Sequence, residues 1–429
     1  MAYDLYPAVD PTYNFPVEVR RALAASPELR SLVIPMTTTT RNNLTAGEKW
    51  DGRVIANTTI DRLERYDEGT AAWLQIAEQS DILAFVNTVA IGRNRFQNGD
   101  FSVNQRGYNF STSPSMNSGV VTTYDRWHGQ AVGGACVMRQ SDTSTNGETG
   151  LPESPKSFLR IEIASQVGAA TEFVTFAQPI EGVRTLAGKT VTLSFWARAS
   201  TPVPKKIGVE VEQYFGTTGS AARQTPVGTI TVTTSTWVRY SLTFTVPVIS
   251  PALMGGANDN VKINFWLSAG ANYAARASNI GTQNGNFEFW GMQLELGNGA
   301  TMYEQKTYAE ELRACQRYYC EAGSRTGAPG QILTQYGTAQ GTKDAVATFQ
   351  YPVPMRRPPG LSYSGTFFWS DRIANYNVGS LAMSTASASS LLIADINCGY
   401  MTPDMVPYRP GAMFGNAPGS VLQFSAEYV

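Results

Sequence analysis

The chain has 429 residues, length for roughly two to four domains, and joins 42% hydrophobic to only 16% charged residues, with 39 glycines and 23 prolines. That balance fits short strands linked by turns and excludes helical bundles and disorder. A formal net charge of −1 gives no positive field to attract nucleic acid or an anionic membrane, and no apolar run approaches the roughly 20 residues that span a bilayer.

The opening Met1-Ala2-Tyr3-Asp4 lacks the basic and apolar regions of a signal peptide, so no leader is expected. Cys136, Cys315, Cys320 and Cys398 form no Cys-x-x-Cys spacing and are expected as free structural thiols. With one histidine, His128, there is little material for zinc ligation or histidine acid–base work.

In chain order, Pro16 opens a modest helix over Val17 to Ala25 that Pro27 closes. Thr37 to Asn43 reads as a polar turn. Val54-Ile55-Ala56 and Leu63 to Asp67 then make a small hairpin followed by Trp73, too small to be stable without neighbours or further copies. Ala71 to Val89 reads as a connector. From about Arg93 to Gln305 a two-residue period sets in, with strands at Phe158 to Ile163, Thr190 to Arg198, Lys206 to Tyr214, Trp237 to Val246, Val261 to Ser268 and Asn286 to Leu296. Successive strands without intervening helices imply a jelly-roll β-sandwich. The period turns helical once, where Tyr308, Leu312, Cys315 and Tyr319 form one stripe between Lys306 and Tyr319. Ala345 to Tyr351, Ser390 to Asn397 and Val421 to Tyr428 are strands of a last, smaller β-domain, interrupted by Pro352-Val353-Pro354-Met355 and Arg357-Pro358-Pro359-Gly360. The expected class is therefore mainly β: a mixed region over 1–92, a sandwich over 93–305, a connecting helix over 306–321 and a small β-domain over 322–429.

Alternate side chains of a strand point to opposite faces, so each strand can be divided. Val191, Leu193, Phe195 and Ala197 suit a core and leave Ser194, Trp196 and Arg198 opposite; Ile263, Phe265 and Leu267 leave Asn264 and Trp266. Glu210, Glu212 and Tyr214, Arg160 and Glu162, and Glu288 with Trp290 divide likewise. One face would thus carry Trp196, Trp266, Trp290 and Tyr214 among Arg198, Glu210, Asn264 and Glu288. Sugar rings offer C–H faces to aromatics and hydroxyls to Arg, Glu or Asn, so this is the mixture a glycan platform needs. The alternative is that loops or a neighbouring subunit cover these tryptophans and they serve packing. Tyr124-Asp125-Arg126-Trp127-His128 reads either as a loop-borne binding edge through Trp127 or as a device that fastens a loop to the sandwich.

Asn98-Gly99-Asp100-Phe101, Tyr124 to Trp127, Thr192 to Arg198 and Phe289 to Gly297 resemble, in that order, the jelly-roll module of phage tail-fibre and minor tail proteins. Tyr308 to Tyr319 is similar to the segment that closes that module, and the segments together span about half the chain. Arg41 to Ala46, Asn57-Thr58-Thr59 and Arg62 to Asp67 resemble the attachment region of phage appendage proteins. The module also resembles carbohydrate-binding jelly rolls that open with Asn-Gly-Asp-Phe and often hold a structural calcium.

What the resemblance implies is a fibre or spike subunit in the virion, on tail or head. It would be a homotrimer, attached to other virion proteins through residues 1–92 and binding a bacterial surface glycan for host adsorption. Asp100 is the one calcium candidate, because a carboxylate and carbonyls at a strand start suit a hard cation. Against calcium, Gly291-Met292 stands where such modules carry acidic residues, and Asn98-Gly99-Asp100 reads first as a turn. Two other functions remain open. A structural decoration protein would use the aromatic face between subunits. A glycan depolymerase would need two carboxylates at a set separation, and the 34 acidic residues nominate no pair. No nucleophile elbow or metal-binding histidine pair is present, so an enzyme is not expected.

Overall fold

The computed structural model describes residues 34–49, 54–57, 59, 62–67 and 69–75, and residues 93–428 apart from 110, 143–147, 153, 201, 324, 326–328, 335 and 385–389. The helix expected over Val17 to Ala25 lies outside the described residues. Contacts divide the chain into two compact units, residues 1–91 and 92–429.

In the first unit β1 (Ile34–Met36) runs parallel to β2 (Val54–Asn57), which pairs antiparallel with β3 (Arg62–Asp67), and β3 pairs with β4 (Ala72–Gln75). The expected hairpin is β2–β3. Trp73 extends it as part of β4, its ring 5.2 Å from that of Tyr66. Thr37 to Asn43, expected as a turn, instead contains the single-turn helix α1 (Thr38–Asn42), because the Thr37 hydroxyl accepts the free Thr40 N–H at the helix start. Buried Glu64 is satisfied by Arg41 at 2.5 and 2.6 Å and by the Asn57 amide at 2.8 Å.

The second unit is built on a mainly antiparallel sandwich. Among the described residues its first sheet has the spatial order β13 (Val238–Thr245), β10 (Thr190–Ala199), β15 (Gly285–Leu296), β8 (Ser157–Ile163) and β7 (Cys136–Asp142). The second has the order β12 (Arg223–Val232), β11 (Lys205–Tyr214), β14 (Asn260–Ala269), β9 (Phe173–Glu181), β6 (His128–Val132) and β5 (Val121–Thr122). Sequence neighbours repeatedly land in opposite sheets, the crossing pattern of a jelly roll. Val191, Leu193, Phe195 and Ala197 of the first sheet meet Ile263, Phe265 and Leu267 of the second in one core, so the two-residue alternation is realised as inward and outward faces.

The helix α2 (Tyr308–Gln316) starts with a reciprocal cap between Thr307 and Glu310. Its buried stripe differs from the expected one. Glu311 and Cys315 point inward while Tyr308 is exposed, and Tyr319 already belongs to the next strand. The exchange follows from a polar requirement: the Glu311 carboxylate accepts the buried Asn98 N–H at 2.7 Å.

Beyond α2, β16 (Tyr319–Gly323), β25 (Val421–Ser425) and β19 (Gly360–Ser364) form one sheet. A second has the order β21 (Asn375–Asn377), β20 (Phe367–Ser370), β24 (Pro410–Gly415), β17 (Tyr336–Ala339), β18 (Ala345–Gln350), β23 (Ile393–Gly399) and β22 (Ser380–Met383). Trp369, Met355, Ile396 and Phe424 lie in their common core. After β25 the chain passes Tyr318, whose carbonyl accepts the Ala426 N–H at 2.7 Å, and returns to the sandwich, where Glu427 accepts from Arg126 Nη1 at 2.7 Å. Among the described residues no helix is long and apolar enough to cross a membrane.

Candidate functional site

The outward faces are two surfaces on opposite sides of the sandwich. This corrects the single aromatic face expected from the strands. Trp196, Arg198, Glu288 and Trp290 belong to the first sheet through β10 and β15, whereas Glu210, Tyr214, Asn264 and Trp266 belong to the second through β11 and β14.

On the first sheet Trp196 and Trp290 face each other across the ladder, with Tyr303 packed against both, at centroid distances of 5.4 Å between the indoles and 6.4 and 5.2 Å to Tyr303. Trp290 retains 2% of its surface and Trp196 is half-buried. Gly291 explains the close fit. It adopts φ +63°, and a Cβ there would lie 2.7 Å from the Trp196 ring. Glu288 takes hydrogen bonds from Arg160 at 2.6 Å and from Arg198, and Arg198 also reaches Glu148 at 2.9 Å while lying over Trp237. The charged side chains pair with one another and, with the packed aromatics, close the surface.

The second sheet is different. Across β11 and β14, Trp266 stands opposite Gly208, Asn264 opposite Glu210, Lys262 opposite Glu212 and Asn260 opposite Tyr214. At one end Trp266, 3% exposed, is covered by Tyr273, Phe173 and the Arg276 guanidinium 5.0 Å away. In the middle Arg276 grips fully buried Glu210 at 2.7 and 2.8 Å, and the Asn264 amide donates to the same carboxylate at 2.8 Å. Next, Lys262 lies 2.8 Å from Glu212. Burial pushes the Glu212 pKa up, but Lys262 and Arg276 overcome it and hold the group below its ordinary value.

At the other end the face opens. Tyr214, Glu212, Asn260 and Lys262 meet Arg356, Arg357 and Tyr428 around a cavity of about 290 Å³. A second cavity of about 350 Å³ shares its Pro179 wall and is lined by Arg95, Lys306 and Arg317 among others. There Arg317 is committed to Glu181 at 2.8 and 3.0 Å.

Residues 176–270 match the family model of a carbohydrate binding domain. The matched stretch runs from β9 through β14. It therefore supplies the β9, β11 and β14 side of the open cavity, while Arg356, Arg357 and Tyr428 of that cavity come from outside the matched stretch. No curated protein matches the chain. Among solved structures it is similar to the one described as "CBM4 structure and function", at 22% identity and TM-score 0.27, covering 47% of this chain and 98% of that one. It is also similar to the CBM22-2 xylan-binding domain from Paenibacillus barcinonensis Xyn10C, at 13% identity and TM-score 0.27, covering 40% and 92%. Bacteriophage CBA120 tailspike protein 4 matches at 13% identity and TM-score 0.28, covering 48% of this chain and 22% of that one.

Of the sequence candidates for glycan contact, Tyr214 is the one that lines the open cavity. Glu210, Asn264, Trp266, Glu288 and Trp290 are buried. Trp127 is fully buried among Phe96, Phe101, Phe176 and Phe265, and its Nε1 donates to the Asn98 carbonyl at 2.9 Å. No part of that ring reaches solvent, which corrects its reading as a binding edge. Asp100 accepts from the Ser102 N–H at 3.2 Å and hydroxyl at 2.9 Å, and among the described residues no three His, Cys, Asp or Glu side chains gather as a metal site.

Lys262, Asn260, Arg356, Arg357 and Tyr428 were not nominated by sequence. The first two carry a signal, since they alternate with Ile263 and Val261 on the strand that yielded Asn264 and Trp266. Arg356 and Arg357 sit in a proline-rich break and carry none.

Proposed function

We propose that this chain is the receptor-binding fibre or spike subunit of a bacteriophage-like particle, and that it binds a bacterial surface glycan at the open end of the second sheet without cleaving it. The observation that carries this reading is the carbohydrate binding domain match over 176–270, whose strands hold Glu212, Tyr214, Asn260 and Lys262 at the cavity. A half-buried tyrosine ring beside amide, carboxylate and ammonium groups supplies one stacking surface and several hydroxyl partners. The phage assignment, the homotrimer and attachment to other virion proteins through residues 1–92 draw their support from the sequence resemblance. The subunit works in the virion with no cofactor.

The test is binding of the full chain to an array of bacterial surface polysaccharides, alongside Tyr214→Ala. Selective binding that weakens by about tenfold in a variant with unchanged thermal unfolding supports the reading. Absence of binding to every glycan overturns it and favours a structural decoration role.

A further inference from the structure

The open cavity is charged in an unbalanced way. Its walls carry the cations Arg356, Arg357 and Lys262 against the single carboxylate of Glu212, three against one, or a surplus of two positive charges. Lys262 and Glu212 neutralise each other at 2.8 Å. The two arginines are left with neutral acceptors. Arg356 donates from Nε to the Ala426 carbonyl at 3.0 Å and from Nη1 to the Asn258 amide oxygen at 3.1 Å, and its guanidinium lies 3.6 Å over the Tyr428 ring. Arg357 donates from Nη2 to the Glu427 carbonyl at 2.9 Å.

Nearby carboxylates are occupied elsewhere: Glu181 holds Arg317, and Asp259 accepts the Val183 N–H at 2.8 Å. Among the described residues neither Arg356 nor Arg357 is within ion-pair distance of a carboxylate, and Arg356 Nη2 is shielded from solvent without a hydrogen-bond partner. That shielded donor is costly to leave unpaired but faces no open space; the fork offered to an oxyanion is that of half-buried Arg357, held by one backbone bond, beside the Arg356 charge that a carbonyl, an amide oxygen and an aromatic ring fix in place. Burial lowers the Arg356 pKa and the Arg357 charge beside it adds to that, while Tyr428 and the more distant Glu181 oppose it without cancelling it.

We propose that the cavity is an anion-recognising subsite in which Arg356 and Arg357 take the carboxylate or phosphate of an acidic saccharide, with Tyr214 against the sugar ring. This rests on the glycan-binding reading and names the substrate class for it. The subsite is composite. The sandwich supplies Tyr214, Lys262 and Asn260, while residues from beyond α2 supply the charge, so a carbohydrate-binding sheet gains acidic selectivity from the domain that follows it. A volume near 290 Å³ lies at the small end of ligand sites, suited to one sugar residue of a longer chain rather than to an oligosaccharide.

The experiment uses the full chain and four probe sets: oligosaccharides containing glucuronate, the same with the carboxyls reduced to alcohols, sugar-phosphate oligosaccharides, and neutral ones. Binding is measured at low and high salt for the native chain and for Arg357→Gln, which removes one guanidinium held by a single backbone bond. The expected result is that one acidic set binds about tenfold or more better than the reduced and neutral sets, and that salt and Arg357→Gln abolish this preference. The two acidic arms then separate carboxylate from phosphate. Neutral glycans bound as well as acidic ones, with no effect of Arg357→Gln, overturn the inference and leave glycan binding standing. Binding to none of the four sets removes both.

Discussion

Arg126 lies with its guanidinium carbon 3.4 Å above the ring of Tyr318, and its Nη1 donates at 2.7 Å to Glu427, 301 residues further along the chain. Three segments are thereby closed around one buried cation. Around it Arg106 meets Asp125 at 2.7 Å and lies 3.7 Å over Tyr319, and the Gln105 amide donates to Asp125 at 2.8 Å and to the Tyr319 carbonyl at 2.7 Å. The Tyr124 to His128 segment thus fastens the sandwich to Tyr318 and Tyr319, where the chain leaves α2, and to the returning tail, a wider version of the reading that had it fasten a loop to the sandwich.

Glu427→Gln should therefore destabilise the chain strongly. It leaves Arg126, 1% exposed, without its counter-charge, a change that costs roughly 3–5 kcal/mol for buried pairs. Urea unfolding measures it. A companion Arg126→Met, Glu427→Met variant should recover a substantial part of the loss, and if the double variant is as unstable as the sum of the single ones, the pair is not coupled as described.

The same cluster sets a pH dependence. Burial lowers the His128 pKa below its ordinary value, with Glu427 opposing, so the unfolded chain takes up this proton first. The stability this contributes is present above about pH 6.5 and is lost as pH falls. Although burial opposes it, Arg126 holds Glu427 well below the usual carboxylate range, which adds a loss in the same direction at lower pH. Asp125 runs the other way. Burial raises it to about 6, so its contribution is present below the ordinary aspartate range and is lost as pH rises through that value. Between about pH 7.5 and 5.5, His128→Gln should lose less stability than the native chain, judged by urea midpoints; equal losses would show that His128 does not titrate across folding.

Much of the fold was legible because the strands alternate. β10, β11 and β14 lie within one residue of their expected bounds, since an unbroken hydrophobic period is a strong local signal. β9 and β12 were missed for a local reason as well: Pro179 interrupts one, and the other carries Pro226 and Gly228 beside a register shift opposite Val209 and Glu210. The site was less legible. Alternation assigns Trp196 and Trp266 to outward faces but cannot tell which sheet each strand joins, nor that Tyr303 and Tyr273 cover them. Arg356 and Arg357 gain their role only from the return of residues 426–428 to the sandwich, a contact made over some seventy residues that no periodicity encodes.

Gly291 provides a test of the first sheet. A side chain there meets the Trp196 ring at 2.7 Å in a backbone conformation with φ +63°, so Gly291→Ala should cost roughly 1–3 kcal/mol. Gly297, also at positive φ but with open space around it, is the control: its alanine variant carries the backbone strain without the clash, and thermal unfolding should rank it closer to the native chain. The reverse ranking would mean that Trp196 does not rest on Gly291.

The tryptophans and Tyr214 are separable by experiment. Trp127 and Trp369 are fully buried, and Trp266 and Trp290 nearly so, whereas Trp196 and Trp237 are half-buried. A polar quencher such as iodide should therefore spare the fluorescence of Trp127, Trp266, Trp290 and Trp369, and the quenched shares of Trp196 and Trp237 are read as the loss in Trp196→Phe and Trp237→Phe, with Trp73, also half-buried, contributing separately. Trp127→Ala should unfold the sandwich at a cost of roughly 3–5 kcal/mol, because its ring joins four phenylalanines and its Nε1 bond is lost as well. Trp266→Phe should lower the melting temperature and leave glycan affinity unchanged, since Tyr273 and Arg276 stand between it and solvent. Tyr214→Ala should do the opposite, preserving stability while weakening glycan binding by about tenfold, as its half-buried ring borders the cavity. If instead Trp266→Phe weakens binding and Tyr214→Ala does not, the sugar lies at the closed end of the sheet, and the cover formed by Tyr273 and Arg276 must move aside to admit it.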